Sequence, residues 1–530
     1  MPVQRDDAIS ELAAFAKFLG GLHRLVRRHM TVPEALAIIQ NRLQNREANF
    51  LKSLERGVYE NARSPYRALL TNAGCTIDDV RNLVKTEGLE GTLAHLRTNG
   101  VYVTFEEFKG LTPIIRGNVT IEPSPSDFDN PLAKRYVSTT TGGSTGAGRR
   151  VRLDLEHLEA ILPNRILSWD VQGLTGLPYA QWTDLPPAGL QGILHSAAAG
   201  QDARHWFITR NFGRKDVRYR LATRATLTAM RLAGAKVMWP EHVPLEDAVV
   251  LAKWGRAQTD LHGGCVIRAS VSLILRIAVA AKENKIDLTG VSLRGGGEPP
   301  TSAKVAQIVA SGATFHSSYA FSEVGPVGSS CLNGTGPNDQ HLMQDHVAMI
   351  RAKRKVPGFD VEVSAFCFTS LLPTAAKMLL NVESDDYGTV EHRSCGCKWE
   401  TLGFPVHVRD IRSFRKLTGE GVTLVGSDIE RVLDEFLPAQ YGGSALDYQF
   451  AEEEDSRGFT RLVLRVAPHI GVPDEERMIQ FVLDSLRQLG GAAALAEAIW
   501  REARTLSIRR ETPAMTTRGK LLPLDLRRAG

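Results

Sequence analysis

From residue 8 to residue 30, apolar side chains recur at helical spacing: Ile9, Leu12, Phe15, Phe18, Leu19, Leu22 and Leu25. That period predicts an amphipathic helix. Thr31-Val32-Pro33-Glu34 then reads as an N-cap with proline early in the next helix, which runs from Glu34 to about Arg56. Thr76-Ile77-Asp78-Asp79 opens another, so residues 1 to about 130 are expected to be mostly helical. From 131 to about 410 the period changes. Short apolar runs such as Gly192–His195, Ala235–Trp239 and Val291–Arg294 read as strands, and Asp216 to Leu232 and Ser270 to Lys282 read as helices between them. Such alternation predicts an α/β domain with a largely parallel sheet. Beyond about 412, a helix over Ile429 to Leu437, a strand over Leu462 to Ala467 and helices over Pro473 to Leu489 and Leu495 to Thr505 predict a smaller α+β unit. The expected division is a large domain over 1–410 and a small one over 411–530.

Composition narrows the class only a little. A chain of 530 residues is too long for one compact core, and 43% hydrophobic with 23% charged residues is ordinary for a soluble globular protein. The 64 basic and 59 acidic residues leave a net charge of +5, which gives no footprint for nucleic acid. The local basic excess at Arg509, Arg510, Arg518, Lys520, Arg527 and Arg528 reads as a solvated tail. No apolar run approaches the ~18 residues of a membrane span; the best, Val271 to Ala281, is broken by Arg276. With no apolar leader after Met1 and six cysteines in all, the expected setting is the reducing cytoplasm.

Candidate chemistry centres on Val137 to Arg152, which reads V-S-T-T-T-G-G-S-T-G-A-G-R-R-V-R. Glycines let the backbone approach a ligand closely, successive N–H groups can form an anion nest, and hydroxyls add neutral donors. A polyphosphate suits such a loop, although neither G-x-x-x-x-G-K-[ST] nor G-x-G-x-x-G is present. A flexible linker is the alternative, but Lys134–Val137 and Arg150–Leu153 on either side both look extended. Arg294-Gly295-Gly296-Gly297-Glu298-Pro299 follows an apolar strand and precedes a helix, where open parallel sheets bind ligands. A plain strand-to-helix turn is the alternative there.

Thr141-Gly142-Gly143-Ser144-Thr145-Gly146 resembles the T-S-G-S-T-G phosphate loop of the acyl-adenylate-forming enzymes, and the chain looks most like their phenylacetate–CoA ligase branch. The glycine stretch resembles that branch's G-G-E-P element, which implies that Gly296, Gly297, Glu298 and Pro299 line the acyl and adenine pockets. Ser318-Tyr319-Ala320-Phe321-Ser322-Glu323 resembles Y-G-x-T-E, with alanine for glycine and serine for threonine. The resemblance implies that Tyr319 stacks on adenine, Ser322 hydrogen-bonds phosphate and Glu323 holds Mg²⁺, with Ser318 beside them. Ser384-Asp385-Asp386-Tyr387-Gly388 resembles T-G-D-x-G, which gives Asp386 the ribose hydroxyls. Arg412 matches the arginine of the hinge element, although Phe414 and Arg415 replace its acidic pair. Thr516-Thr517-Arg518-Gly519-Lys520 resembles the G-K tail, which makes Lys520 the catalytic lysine.

Cys395-x-Cys397 is a thiolate pair with Cys331 and His341 upstream, a set that suits tetrahedral Zn²⁺; buried free cysteines are the alternative. The resemblance places a cysteine, a histidine and a C-x-C pair in this order, with His346 as a rival to His341. Cys75, Cys265 and Cys367 read as core, and His195, His205 and His262 as structural. His262-Gly263-Gly264 and Trp206 are further candidates for the acyl pocket.

Together these motifs imply an enzyme that uses ATP and Mg²⁺ to activate a small carboxylic acid as acyl-AMP. The acyl group then passes to coenzyme A or, alternatively, to a carrier protein or another nucleophile. A nucleotide-binding relative without catalysis is the third reading, since Arg149-Arg150 stands where the family has proline and lysine. Neither nucleic acid nor membrane is an expected partner, and a homodimer is left open.

Overall fold

The computed structural model describes the chain except residues 1–17, 29, 134–136, 141–149, 184–187, 210, 212–216, 298–299, 356–361, 414–417, 420–421, 424–426, 455–459, 472–473, 490–492, 494–496, 498–499, 502–505, 516–520, 522 and 526–530. Residues 18–27 are helical, and α1 (Val32–Gln44), α2 (Arg46–Leu54), α3 (Pro65–Asn72) and α4 (Ile77–Thr98) follow. Two starts are fixed by reciprocal capping boxes. Thr31 N–H donates to Glu34 Oε2 at 2.7 Å, and Thr76 N–H donates to Asp79 Oδ2 at 2.8 Å. The predicted helix from Glu34 to Arg56 is cut at Asn45 into α1 and α2, and α4 is kinked where Gly88 takes φ +69°.

One continuous sheet dominates the rest. In chain order its strands are β1 (Pro178–Thr183), β2 (Asp202–Ile208), β3 (Glu241–His242), β4 (Cys265–Ser270), β5 (Val291–Gly296), β6 (Thr314–Phe321), β7 (Gly325–Ser329), β8 (Gln340–Leu342), β9 (Val347–Lys355), β10 (Glu362–Ser370), β11 (Val382–His392) and β12 (Val406–Ser413). Their spatial order is β9-β10-β11-β12-β8-β7-β6-β5-β4-β1-β2-β3. The half from β6 to β3 is parallel throughout, as the α/β alternation predicts, and the half from β7 to β9 is antiparallel. Helices α5 (Leu162–Val171), α6 (Ala188–Ala198), α7 (Val217–Leu232), α8 (Val249–His262), α9 (Val271–Glu283) and α10 (Ser302–Val309) serve the parallel half.

Two strand expectations are corrected. Gly192 to His195 lies inside α6, where Gly189 and Gly192 let the helix press onto the sheet: a Cβ at Gly189 would stand 2.5 Å from the Trp206 ring. Ala235 to Trp239 is irregular connection rather than strand. Residues 291–296 form the predicted strand, and α7 and α9 occupy the predicted helical spans within a residue or so.

A second sheet follows in the chain. Strands β13 (Tyr448–Glu454), β14 (Thr460–Val466), β15 (Leu506–Arg510) and β16 (Leu524–Asp525) take the order β15-β14-β13-β16, and α11 (Glu475–Leu489) buries Met478, Val482, Leu483 and Leu486 against it. Arg509 and Arg510 are exposed, as expected, but belong to a strand rather than a tail. They lie on β15, where Arg509 pairs with Glu453 and Arg510 Nη2 donates to Pro468 O at 2.8 Å. Between the two sheets, Asp434 accepts from Thr301 Oγ1 at 2.9 Å and pairs with Lys304 at 3.3 Å. Among the described residues no helix is long and apolar enough to cross a membrane.

Candidate active site and metal centre

Strand β5 ends in glycine because its neighbour leaves no room for a side chain. A Cβ at Gly295 would lie 2.6 Å from the Phe315 ring, and one at Gly296 would lie 2.8 Å from Ser318 Oγ and 3.1 Å from the Ser318 carbonyl oxygen. Gly296 and Ser318 are register partners at the carboxyl ends of β5 and β6, and Ser318 Oγ donates to Gly295 O at 3.1 Å. Gly297 turns away at φ +80°. The backbone at this rim is therefore bare, and carboxyl ends of parallel strands are where open sheets hold ligands.

Two further candidates, Tyr319 and Asp386, meet beside this rim. A register shift between Tyr319 and Ala320 leaves Ala320 exposed. The Tyr319 hydroxyl donates to Asp386 Oδ2 at 2.6 Å, although the two residues are 67 positions apart. Burial first, and then the Asp386 carboxylate, pushes the Tyr319 phenol far above its usual range, so it stays a donor. Asp386 is held in turn: its N–H donates to Ser384 Oγ at 3.2 Å. It pairs with Ser413 across β11 and β12, so the backbone of Arg412 stands one register position away, opposite Tyr387. Ser322 and Glu323 form the turn between β6 and β7, where Ser322 Oγ donates to Glu323 Oε2 at 3.4 Å and Glu323 is 8% exposed. Of the other predicted residues, Thr141, Gly142, Gly143, Ser144, Thr145, Gly146, Glu298, Pro299 and Lys520 lie outside the described residues. Their flanks are described. Val137–Thr140 and Arg150–Leu153 pair as antiparallel strands on either side of the glycine- and hydroxyl-rich motif, and a Met515–Leu521 bridge brackets the tail motif.

The sulfur and imidazole candidates form one cluster. Cys331 follows β7, His341 lies on β8, and Cys395 and Cys397 lie between β11 and β12. Their ligand atoms all fall within 4.8 Å of one another. His341 Nε2 stands 3.2 Å from Cys397 Sγ and 3.6 Å from Cys395 Sγ. A tetrahedral ion with bonds of about 2.0–2.3 Å separates such donors by roughly 3.5 Å. His341 Nδ1 faces Phe404 O at 2.7 Å, which as a donor to that carbonyl leaves Nε2 a lone pair for a metal. The turn is fixed from behind, since Cys395 N–H and Gly396 N–H donate to Glu400 Oε2 at 2.9 and 2.7 Å. Burial pushes the Cys331 thiol up to about 12 and pulls the His341 imidazole down to about 4. The donor set and spacing fit zinc. His346 is excluded from the cluster: its ring contacts Asp345 Oδ1 at 2.9 Å and the Pro326 carbonyl. Cys75, Cys265 and Cys367 stand apart from it, the last two buried.

The histidines thought structural divide. His205 Nδ1 accepts from Trp254 Nε1 at 3.0 Å, while buried His195 has no partner for Nε2 among the described residues. Trp206 is buried and donates to Thr183 Oγ1 at 3.1 Å. The sequence reading missed Arg165 and Arg268, which gather with Arg294 behind the glycine rim. The available signal was an arginine set in each of two short apolar strands, C-V-I-R-A-S and V-S-L-R-G-G.

No protein-family model matches the sequence, and no curated protein does. Solved structures do. The chain is similar to a 2-hydroxyisobutyryl-CoA ligase in the postadenylation state in complex with R3-HIB-AMP, with a TM-score of 0.52, 14% identity, and 94% of this chain and 91% of that chain covered. The same ligase in complex with 2-HIB-AMP gives a TM-score of 0.51 at 14% identity and the same coverage. The fold of this chain is the one that ligase has.

Proposed function

We propose that this chain is an ATP-dependent carboxylate ligase, of the phenylacetate–CoA ligase type, that forms acyl-AMP and passes the acyl group to the thiol of coenzyme A. The observation that carries the reading is the Tyr319–Asp386 hydrogen bond, which joins two separately recognised motifs beside the Gly296–Ser318 rim that carries a third. The acid's carboxylate oxygen attacks the α-phosphorus of ATP, the bond to the bridging oxygen breaks, and pyrophosphate leaves. The thiol then attacks the acyl carbonyl, and AMP leaves with the electron pair of its bond. Residues 141–146 cradle the phosphates, Glu323 holds Mg²⁺, Asp386 and Arg412 hold the ribose side, and Tyr319 flanks the base. Lys520 stabilises the charge that builds during the first step. Residues 411–530 act as a small domain that withdraws this lysine before the thiol enters.

Zinc held by Cys331, His341, Cys395 and Cys397 is structural in this reading. Four protein donors close its coordination sphere, and its task is to tie β8 to the loop before β12. The test of the whole is incubation with ATP, Mg²⁺ and a panel of carboxylic acids, with and without coenzyme A. AMP with loss of free thiol supports the reading. AMP without thiol consumption moves the acceptor to a carrier protein or another nucleophile, and absence of AMP with every acid refutes it.

A further inference from the structure

Behind the rim lies a row of polar side chains that holds two arginines. Gln181 on β1, Arg268 on β4, Arg294 on β5 and His316 on β6 are successive register partners, so their side chains share one face of the parallel sheet. Helices α5 and α6 cover that face. Arg294 Nη2 donates to Ser168 Oγ at 2.8 Å, and its guanidinium lies 4.9 Å from the centre of the Trp169 ring. Arg165 reaches in from α5 and donates to Ser196 Oγ at 3.1 Å. Gly192 lets α6 approach this row closely, since a Cβ there would stand 2.3 Å from Gln181 Oε1 and 2.9 Å from Arg268 Nη1.

None of the three guanidiniums has a carboxylate partner among the described residues. Arg294 is only 8% exposed, and its Nη1 has no hydrogen-bond partner among them; the same holds for Nε of Arg165. Burial, then Arg165 and Arg268, pulls the Arg294 guanidinium down to about 9, which leaves it a cation at neutral pH. An unpaired buried charge is costly, and arginine does not shed its proton to escape. Such a cluster is relieved by an anion. Arg294 lies two residues before Gly296, on the same face, and so about 7 Å behind the rim along the strand.

We infer that the acid activated here carries a second anionic group, remote from the reacting carboxylate, which Arg268 and Arg294 receive with Arg165 at its flank. This rests on the ligase reading above, and it names the substrate class as dicarboxylic acids whose two groups are separated by several carbons or one aromatic ring. The reacting carboxylate stays at the glycine rim, and the second carboxylate replaces the missing counter-ion.

The experiment uses matched pairs, hexanoate with adipate and benzoate with terephthalate, on the full chain. With ATP and Mg²⁺ the diacid of at least one pair is expected to give AMP with kcat/KM about 100-fold above its monoacid. Arg294→Met is expected to collapse that ratio to about one. Without ATP, the same diacid raises the melting temperature of the wild type and its monoacid does not, a readout independent of turnover. A diacid that raises the melting temperature while no acid yields AMP keeps the anion cradle and refutes the ligase reading. AMP from monoacids, with diacids neither binding nor reacting, refutes the cradle and keeps the ligase. A wild type indifferent to every diacid in both assays overturns the inference whether or not Arg294→Met folds.

Discussion

Gly296→Ala tests whether the bare rim is a steric requirement and a ligand surface at once. The new methyl carbon would sit 2.8 Å from Ser318 Oγ and 3.1 Å from the Ser318 carbonyl oxygen. The hydroxyl can rotate away at the cost of its bond to Gly295 O. The carbonyl cannot, because Ser318 is held in parallel register with Gly296. Relief therefore needs β5 and β6 to part by several tenths of an ångström, and overpacking of that kind costs about 1–3 kcal/mol. The methyl also narrows the rim where the ligands are proposed to lie. The expected result is a melting temperature lower by a few degrees together with a rise of at least tenfold in KM for ATP or for the acid. Adding Ser318→Ala removes the hydroxyl clash and leaves the carbonyl clash, so the double variant regains part of the stability and little of the KM. A Gly296→Ala protein with wild-type melting and wild-type KM values would refute both halves of the reasoning.

Protein purified without chelator is expected to carry about one equivalent of zinc, Cys397→Ser less than half of that, and His346→Ala an undiminished amount per folded chain; elemental analysis decides. Asp386→Asn weakens the charge-assisted bond from Tyr319 and the proposed ribose contacts, which raises KM for ATP by about 10- to 100-fold; an unchanged value removes Asp386 from the nucleotide site. Stability is expected to fall in acid because His157 and His316 are buried as neutral rings. Burial draws both down to about 4, with His346 and Arg42 adding to it at His157 and Arg294 at His316, whereas an unfolded histidine titrates near 6.5. Between those values the unfolded chain binds more protons. Their contribution is therefore full above about pH 6.5 and is lost as the pH falls toward 4, at up to about 1.4 kcal/mol per unit for each ring. Melting curves from pH 7 to 4.5 check this, and a flat profile that His157→Asn does not alter would contradict it.

Legibility followed chemistry more than pattern. The capped helix starts at Thr31 and Thr76 were readable because a side-chain cap is a local signal, and Val291–Gly296 because a short apolar run before glycines is one too. Gly192 to His195 misled because an apolar tetrapeptide carries no period. Its helical state depends on Gly189 and Gly192 fitting against Trp206 and Gln181, which are contacts from other strands. The antiparallel half of the sheet was invisible for a related reason: β9 to β12 are paired by register set over long separations. At the candidate site, the motifs named Tyr319 and Asp386 but not their mutual hydrogen bond. Spacing could not choose between His341 and His346, and strand β8 made the choice by turning His341 toward the sulfurs. The arginine row was missed because each arginine looks unremarkable alone, and only strand register puts Arg268 beside Arg294.

Acid-dependent exchange of labelled pyrophosphate into ATP, measured for the wild type and for Lys520→Ala, tests the central claim most directly, because it reports adenylate formation without any assumption about the acceptor. The account predicts exchange that requires both Mg²⁺ and a carboxylic acid and that falls by about 100-fold or more when the lysine is removed. Exchange that no mono- or dicarboxylic acid elicits, or that Lys520→Ala leaves untouched, would contradict it.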